Sequence, residues 1–385
     1  MIFLPHKFIF NETSYHGEGA IEEIPGEVKH RGLKKAFIVT DNDLCLAKIT
    51  DKVTDILEKF NIPFEIFSEV EPNPSTDSVS KGVDAYKASG ADFILAVGGG
   101  SPIDTAKAIG IIITNPEFSD VVSLEGFKNV KNRPVPLLAV PTTAGSAAEA
   151  TVFFVITDSD NKKKMVCICH QSIPVAAFVD PSMMISMPPS LTAATGMDAL
   201  THAIEGYITK NATPLSDILT LNAIRLIASS LKDAAEGNKD AFSSMALGQF
   251  IAGMGFSNAG LGIVHSMSHP ISAFYKTPHG VANAIILPHV MEFNRDWTGD
   301  KYRHIAQAMG CENTDTLSEE EAKDAAIEAV KSLSSALKIP KDLRDIASED
   351  DVDFLSESAF YDACRPGNPR EVTIEDIKKL YLSLM

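Results

Sequence analysis

The chain has 385 residues, enough for two domains of ordinary size, each burying its own core. Its net charge of −17 argues against nucleic acid or an anionic membrane surface as a main partner, and no apolar run reaches the roughly twenty residues of a membrane span. Five cysteines, at positions 45, 167, 169, 311 and 364, include no Cys-x-x-Cys pair, so a disulfide framework or thiolate zinc site is not expected and a cytoplasmic location fits.

Residues 1–10 are apolar but short and lack a small-residue cleavage site, so they read as a first strand and not as a signal peptide. Up to about residue 185, strand and helix patterns then alternate. Residues 35–40 form a short apolar run ending at Asp41, residues 48–60 have helical periodicity, and residues 64–67 read as another strand. Turn and cap residues from Asn73 to Asp77 precede a helix through Tyr86, and the strand at 93–97 runs into Gly98-Gly99-Gly100-Ser101-Pro102. This alternation predicts a parallel, Rossmann-like sheet covered by helices.

The triple glycine is a phosphate-binding candidate, because the backbone there approaches a ligand closely and the next helix offers free N–H groups and a favourable dipole. Ser101 is expected to cap that helix, with Pro102 at its first position. An ordinary strand-to-helix turn would have the same composition, and the loop is neither Gly-x-Gly-x-x-Gly nor a Walker loop. A second apolar run, 136–140, leads into Pro141-Thr142-Thr143-Ala144-Gly145-Ser146, whose hydroxyls suit a second ligand-facing loop. Asp41, at a strand end, is placed to accept from a ribose 2′-hydroxyl. A 2′-phosphate about 6 Å away would be repelled by about 1–6 kcal/mol, which favours NAD over NADP. Residues 158–164 read as a hairpin turn with Lys162 and Lys163 solvated, whereas Lys164 borders an apolar run and is expected to point inward.

Beyond Asp180-Pro181 the texture changes. Met183, Met184 and Met187 read as packing residues, and helical patterns follow at 193–209, 216–236, 241–257, 261–274, 281–294, 319–337 and 374–384. The expected organisation is an α/β dinucleotide-binding domain, 1–185, and an all-α metal-binding and catalytic domain, 186–385. In the latter, Asp198 and His202 are four residues apart on one helix face within an apolar, alanine-rich run, where a buried charge needs a partner or a metal. His265, His269 and His279 follow within a short glycine-rich and apolar span. One carboxylate with imidazoles suits a borderline divalent cation, Fe²⁺, Co²⁺ and Zn²⁺ alike.

Together, residues 97–107 (VGGGSPIDTAK), 141–145 (PTTAG), 195–205 (TGMDALTHAIE), 265–270 (HSMSHP) and 278–284 (PHGVANA) make the chain resemble the iron-containing (group III) alcohol dehydrogenase family along its whole length. The resemblance implies a dehydroquinate-synthase-like fold and a homodimer. It also implies a catalytic metal, Fe²⁺ with Zn²⁺ as the alternative, held by Asp198, His202, His265 and His279, with His269 as a non-ligand catalytic histidine. Asp41, Asn73, Gly98, Gly99, Ser101, Thr142, Thr143, Thr151 and Lys164 fall where such enzymes contact NAD(H), and Phe153, Phe256 and Cys364 fall at the substrate pocket. Two departures stand out. Residues 146–149 read SAAE where the family usually has Thr-x-Ser-Glu, and Phe153 replaces a polar residue, giving a smaller, more apolar pocket.

The expected activity is NAD(H)-linked interconversion of short primary alcohols or diols with aldehydes, lactaldehyde and 1,2-propanediol first. Two rivals are a dehydroquinate-synthase-like lyase on the same scaffold, which would need more cationic residues, and a non-catalytic scaffold or filament protein.

Overall fold

The structure, a computed structural model, describes residues 5–161 and 163–385. In the first half, strands β1 (Thr13–His16), β2 (Ala36–Val39), β3 (Phe64–Phe67), β4 (Phe93–Gly98), β5 (Gly126–Phe127), β6 (Leu137–Pro141), β7 (Phe153–Asp158), β8 (Lys163–Ile168) and β9 (Ala176–Val179) are interspersed with helices. These are α1 (Ile24–His30), α2 (Asn42–Leu46), α3 (Asp51–Lys59), α4 (Thr76–Ser89) and α5 (Gly100–Thr114). Six strands form one sheet, β1-β9-β6-β4-β2-β3, with every pairing parallel.

Strands β2, β4, β6 and β9 are buried along their whole length. Both sheet faces are covered, so these strands carry unbroken apolar runs instead of alternating ones. Successive residues still serve opposite layers. Phe37, Val39, Ile94 and Ala96 pack with Ile103 and Ile109 of α5 on one face, while Ile38, Leu95 and Val97 pack with Val53 and Leu57 of α3 on the other. The chain leaves β2 outward to β3 and returns on the other side of β2 as β4. That reversal opens a crevice at the carboxyl ends of β2 and β4, the place where open α/β sheets bind ligands.

A smaller sheet, β5-β8-β7, contains the antiparallel β7–β8 hairpin, as the turn residues at 158–164 predict. Lys163 is exposed beside Glu125, and Lys162 lies outside the described residues.

The second half is helical: α6 (Pro189–Ile208), α7 (Pro214–Ala235), α8 (Ala241–Ala259), α9 (Ile263–Tyr275), α10 (His279–Asn294), α11 (Lys301–Ala308), α12 (Glu319–Ala336), α13 (Val352–Phe360) and α14 (Ile374–Leu384). Helix α6 is its axis, buried from Thr192 to Ile208 except near Thr195 and packed against α7, α8 and α10. The approach of α10 to α6 depends on Gly280, where a Cβ would stand 2.0 Å from the Ala194 carbonyl oxygen. Among the described residues, no single helix is long and apolar enough to cross a membrane.

Two sequence expectations are corrected here. Among the described residues, 5–12 form no strand and the first strand begins at Thr13, while residues 1–4 of the expected strand lie outside the described residues. Upstream, the Ile9 backbone pairs with the Asn258 side chain of α8, donating to it at 2.7 Å and accepting from it at 3.1 Å, so its polar groups are satisfied without a neighbouring strand. Ser101 is not the cap of α5. The helix starts earlier, with Gly99 at the N-cap, and Ser101 lies inside the first turn.

Candidate active site

The two glycine-bearing loops leave adjacent strands, since Gly98 of β4 pairs with Pro141 of β6. Gly98 has φ of 157°, and a Cβ there would meet Pro102 at 2.4 Å, so only glycine permits this turn into α5. Its carbonyl accepts from the Thr142 amide at 3.0 Å, and Thr143 packs over Gly99. The loops are thus joined, with Ser101 half-buried in the first turn of α5. Asp41 at the end of β2 caps α2 by accepting from the Leu44 amide at 2.8 Å, and burial raises its pKa. Asn73 is exposed and in the left-handed region, beside the β7–β8 hairpin, to which its carbonyl is bonded through Thr157. Asp41, Gly98, Gly99, Thr142 and Thr143 thus stand at the carboxyl ends of β2, β4 and β6, where the strand reversal lies, and Asn73 is in the loop between β3 and α4.

Thr151 is placed differently. It is buried, and its hydroxyl accepts from Lys107 Nζ at 3.2 Å. Lys107, itself buried in α5, also donates to the carbonyls of Thr151 and Phe153, at 2.8 and 2.6 Å, and Asp104 accepts from the Val155 amide at 2.9 Å. These two motif residues therefore pin the start of β7, from which Phe153 projects. Lys164 of β8 is half-buried, and burial lowers its pKa to about 8 against the opposing pull of Asp198 and Asp104.

Helices α6, α9 and α10 supply the second cluster. Ligand atoms of Asp198, His202 and His265 all lie within 4.8 Å of one another, and the three residues are buried. His279, at the first position of α10, brings Nε2 to 3.8 Å from Asp198 Oδ1, the same separation as His265 Nε2. Asn283 Nδ2 sits between them, donating to Asp198 Oδ1 at 2.7 Å with the two imidazole nitrogens at 3.2 and 3.3 Å.

The electrostatics of this cluster are those of a cation site. Burial holds His202 and His279 well below the ordinary histidine range, which leaves their imidazoles neutral and able to ligate. Burial also raises the pKa of Asp198, opposed chiefly by His265. His202 Nδ1 and Asn283 Oδ1 are buried without hydrogen-bond partners. One neutral-imidazole and carboxylate set with orphaned polar atoms fits a divalent cation bound by nitrogen and oxygen.

His269 lies one turn beyond His265, its ring stacked on His279 with centroids 5.2 Å apart. Its Nδ1 is 2.7 Å from Asp362 Oδ2. A carboxylate only accepts, so Nδ1 carries the hydrogen and Nε2 is left for the site. Burial would raise the Asp362 pKa, but the charge of His269 and its hydrogen bond outweigh this and hold it at about 2. Asp362 also accepts from the Cys364 amide at 2.8 Å, which seats Cys364 beside the pair, and burial pushes its thiol pKa well up.

A row of aromatic rings runs from Phe153 of β7 to the histidine cluster. Phe153 faces Phe256 with centroids 6.3 Å apart, Phe256 stacks on His202 at 4.3 Å, and His202 stacks on His265 at 4.4 Å. A cleft of about 290 Å³ opens beside His269 and Asp362, lined also by Lys164, Phe354 and Tyr361. A larger cavity of about 720 Å³, among Arg31, Arg133, His170 and Pro174, is lined by none of Asp198, His202, His265, His269 and His279.

Asp362, Asn283 and Glu205, each hydrogen-bonded to a histidine of the cluster, are not among the site residues the sequence marks. Asp362 is 93 positions from its histidine and had no local signal. Asn283 and Glu205 stand inside recognised motifs, and a charged or amide residue in an apolar helical run was the available clue.

A profile described as "Iron-containing alcohol dehydrogenase" matches residues 11–181, and one described as "Fe-containing alcohol dehydrogenase family, C-terminal" matches residues 192–385. The chain is 52% identical over 379 residues to a lactaldehyde reductase of Escherichia coli (strain K12), covering 98% of this chain and 99% of that one. It is 38% identical over 376 residues to an NAD-dependent methanol dehydrogenase of Bacillus methanolicus, covering 97% and 98%. Its fold superposes on a crystal structure of 1,3-propanediol oxidoreductase with a TM-score of 0.96 at 38% identity, covering 99% of this chain and 100% of that one. The chain belongs to the iron-containing alcohol dehydrogenase family.

Proposed function

We propose that the protein is a metal-dependent, NAD(H)-linked oxidoreductase that interconverts short alcohols or diols with aldehydes, with lactaldehyde and 1,2-propanediol as the first pair to test. The observation that carries this reading is the convergence of Asp198, His202, His265 and His279 at the end of an aromatic row that begins at Phe153. The cofactor is NAD(H), seated on Gly98, Gly99, Ser101, Thr142 and Thr143, with Asp41 discriminating against a 2′-phosphate. Asn73 and Lys164 flank it, and Thr151 supports it from beneath through Lys107.

A cation held by the four ligands, Fe²⁺ before Zn²⁺, supplies Lewis acidity toward the carbonyl oxygen, and the nicotinamide supplies or accepts the hydride. The chain's own residues do the rest. Phe153 and Phe256 wall the carbon chain of the substrate and exclude water. His269, its Nδ1 tied to Asp362, presents Nε2 to give a proton to the nascent alcohol or take it back in the reverse direction. Cys364 packs at the rim of the same pocket.

The apolar wall disfavours a phosphorylated-acid lyase, and the intact ligand set disfavours a non-catalytic scaffold. The division into units 1–185 and 186–385, a cytoplasmic location and assembly as a homodimer belong to the same reading. Following NADH consumption with lactaldehyde, and NADH production with 1,2-propanediol, tests it. Stoichiometric NADH turnover is expected, and binding of NADH without turnover of any short aldehyde would refute it.

A further inference from the structure

Helix α9 begins at Gly262, which offers no side chain to cap it. Its first amides are instead taken by a residue of another helix. Glu205 of α6, fully buried, accepts from the Val264 amide through Oε1 at 2.7 Å and from the His265 amide through Oε2 at 3.4 Å. The same Oε2 lies 2.6 Å from His265 Nδ1. The carboxylate has no hydrogen to donate, so Nδ1 must carry it, and the lone pair of Nε2 is turned toward Asp198. A histidine with free choice of tautomer would spend part of its time presenting N–H to that position.

We propose that Glu205 is the positioning residue of the metal centre: one carboxylate both anchors the start of α9 on α6 and fixes the His265 tautomer that can ligate. The proposal rests on the reading of His265 as a ligand. Glu205 lies one turn beyond His202 on α6, so the helix that supplies two ligands, Asp198 and His202, also orients a third from α9. The geometry is guarded by Gly262. A Cβ there would stand 2.7 Å from Glu205 Oε1, while the glycine's φ of −143° is one that alanine adopts freely. Gly262→Ala therefore pushes the carboxylate aside without removing it.

The test titrates Co²⁺ into full-length, metal-stripped protein, reading the dissociation constant and the d–d absorption, alongside the melting temperature of the stripped protein. The wild type is compared with Glu205→Gln, Gly262→Ala and His265→Ala. A glutamine amide facing Nδ1 favours the opposite tautomer, so Glu205→Gln is expected to weaken Co²⁺ about 10–100-fold, the usual effect of losing such a partner, with an altered d–d band. Gly262→Ala is expected to weaken it at least several-fold and decides the matter if Glu205→Gln does not fold. The melting temperature of the stripped Gly262→Ala protein should stay within a few degrees of wild type. Wild-type affinity and spectrum in both variants, with binding lost in His265→Ala, would overturn the proposal and leave the ligand assignment intact. Weakened binding that only tracks a large fall in melting temperature would also overturn it, in favour of a purely structural cap. Wild-type binding by His265→Ala would instead refute the ligand assignment.

Discussion

His269 Nδ1 is held by Asp362 at 2.7 Å, one turn along α9 from His265 Nδ1, which is held by Glu205 at 2.6 Å. Both imidazoles are thereby locked with Nε2 toward the site, and both carboxylates come from other parts of the chain. The two histidines differ in what Nε2 meets. That of His265 lies 3.8 Å from Asp198 Oδ1, whereas His269 stacks on His279 and lines the open cleft. In the proposed function, one helix turn thus separates the metal ligand His265 from the proton carrier His269.

Asp362→Asn should leave metal binding intact and slow turnover. The asparagine amide can donate to Nδ1, releasing the wrong tautomer at Nε2, so kcat is expected to fall at least about tenfold, within the range of a lost acid–base group. Metal content and NADH affinity should match wild type, and the pH profile of kcat should shift. An unchanged profile would remove Asp362 from the proton path. His269→Ala should show the same pattern more strongly.

The buried pair Glu149 and Gln249 gives a pH-dependent stability prediction away from the metal. Gln249 Nε2 donates to Glu149 Oε1 at 2.5 Å, while Gln249 Oε1 has no partner. Burial raises the Glu149 pKa, against the opposing bond from Gln249 and the charge of Lys107. The native state then keeps its proton to higher pH than the unfolded chain, so stability falls as pH rises from the unfolded value through the folded one. Glu149→Gln avoids that loss and supplies the missing donor to Gln249 Oε1. It should be more stable than wild type by about 1–3 kcal/mol at neutral pH, with the difference fading below the unfolded carboxyl pKa. Urea unfolding at pH 4 and pH 7 checks this, and equal stability at both would contradict it.

In the proposed function Phe153 sets the character of the substrate wall, since its ring ends the row Phe153, Phe256, His202 on the side away from the histidines. Phe153→Asn opens space and adds hydrogen-bonding groups. The ratio of kcat/KM for a 2-hydroxyaldehyde over the unsubstituted aldehyde of equal length should rise roughly tenfold, the usual size of one polar contact against an apolar wall. No change in that ratio would place the specificity elsewhere.

Much of this arrangement was legible in the residues. Strands buried on both faces, such as β4, announce themselves as unbroken apolar runs, and glycines at a strand end mark a close approach. The clustered histidines stand out because imidazoles are costly in apolar helices. What escaped has physical reasons. Helix α11 turns only Tyr302, Ile305 and Ala306 inward, too few to mark a period, and α13 is similarly short. The start of α5 came before Ser101 because a glycine backbone needs no side-chain cap to begin a helix under Thr143. The partners of His265 and His269 arrive from 60 and 93 positions away, and such pairings are set by where the end of α6 meets the start of α9 and by the packing of α9 on α13, which precedes Asp362, not by local pattern.

The central claim is that Asp198, His202, His265 and His279 hold one divalent cation on which turnover depends. Its most direct test is the metal content of protein purified without oxygen, measured together with NADH-dependent aldehyde reduction before and after chelation and in His265→Ala. About one metal per chain is expected in wild type, with activity lost on chelation, restored by Fe²⁺, and absent from a metal-poor His265→Ala. Full turnover by metal-free wild type, or a full metal complement in His265→Ala, would contradict the account.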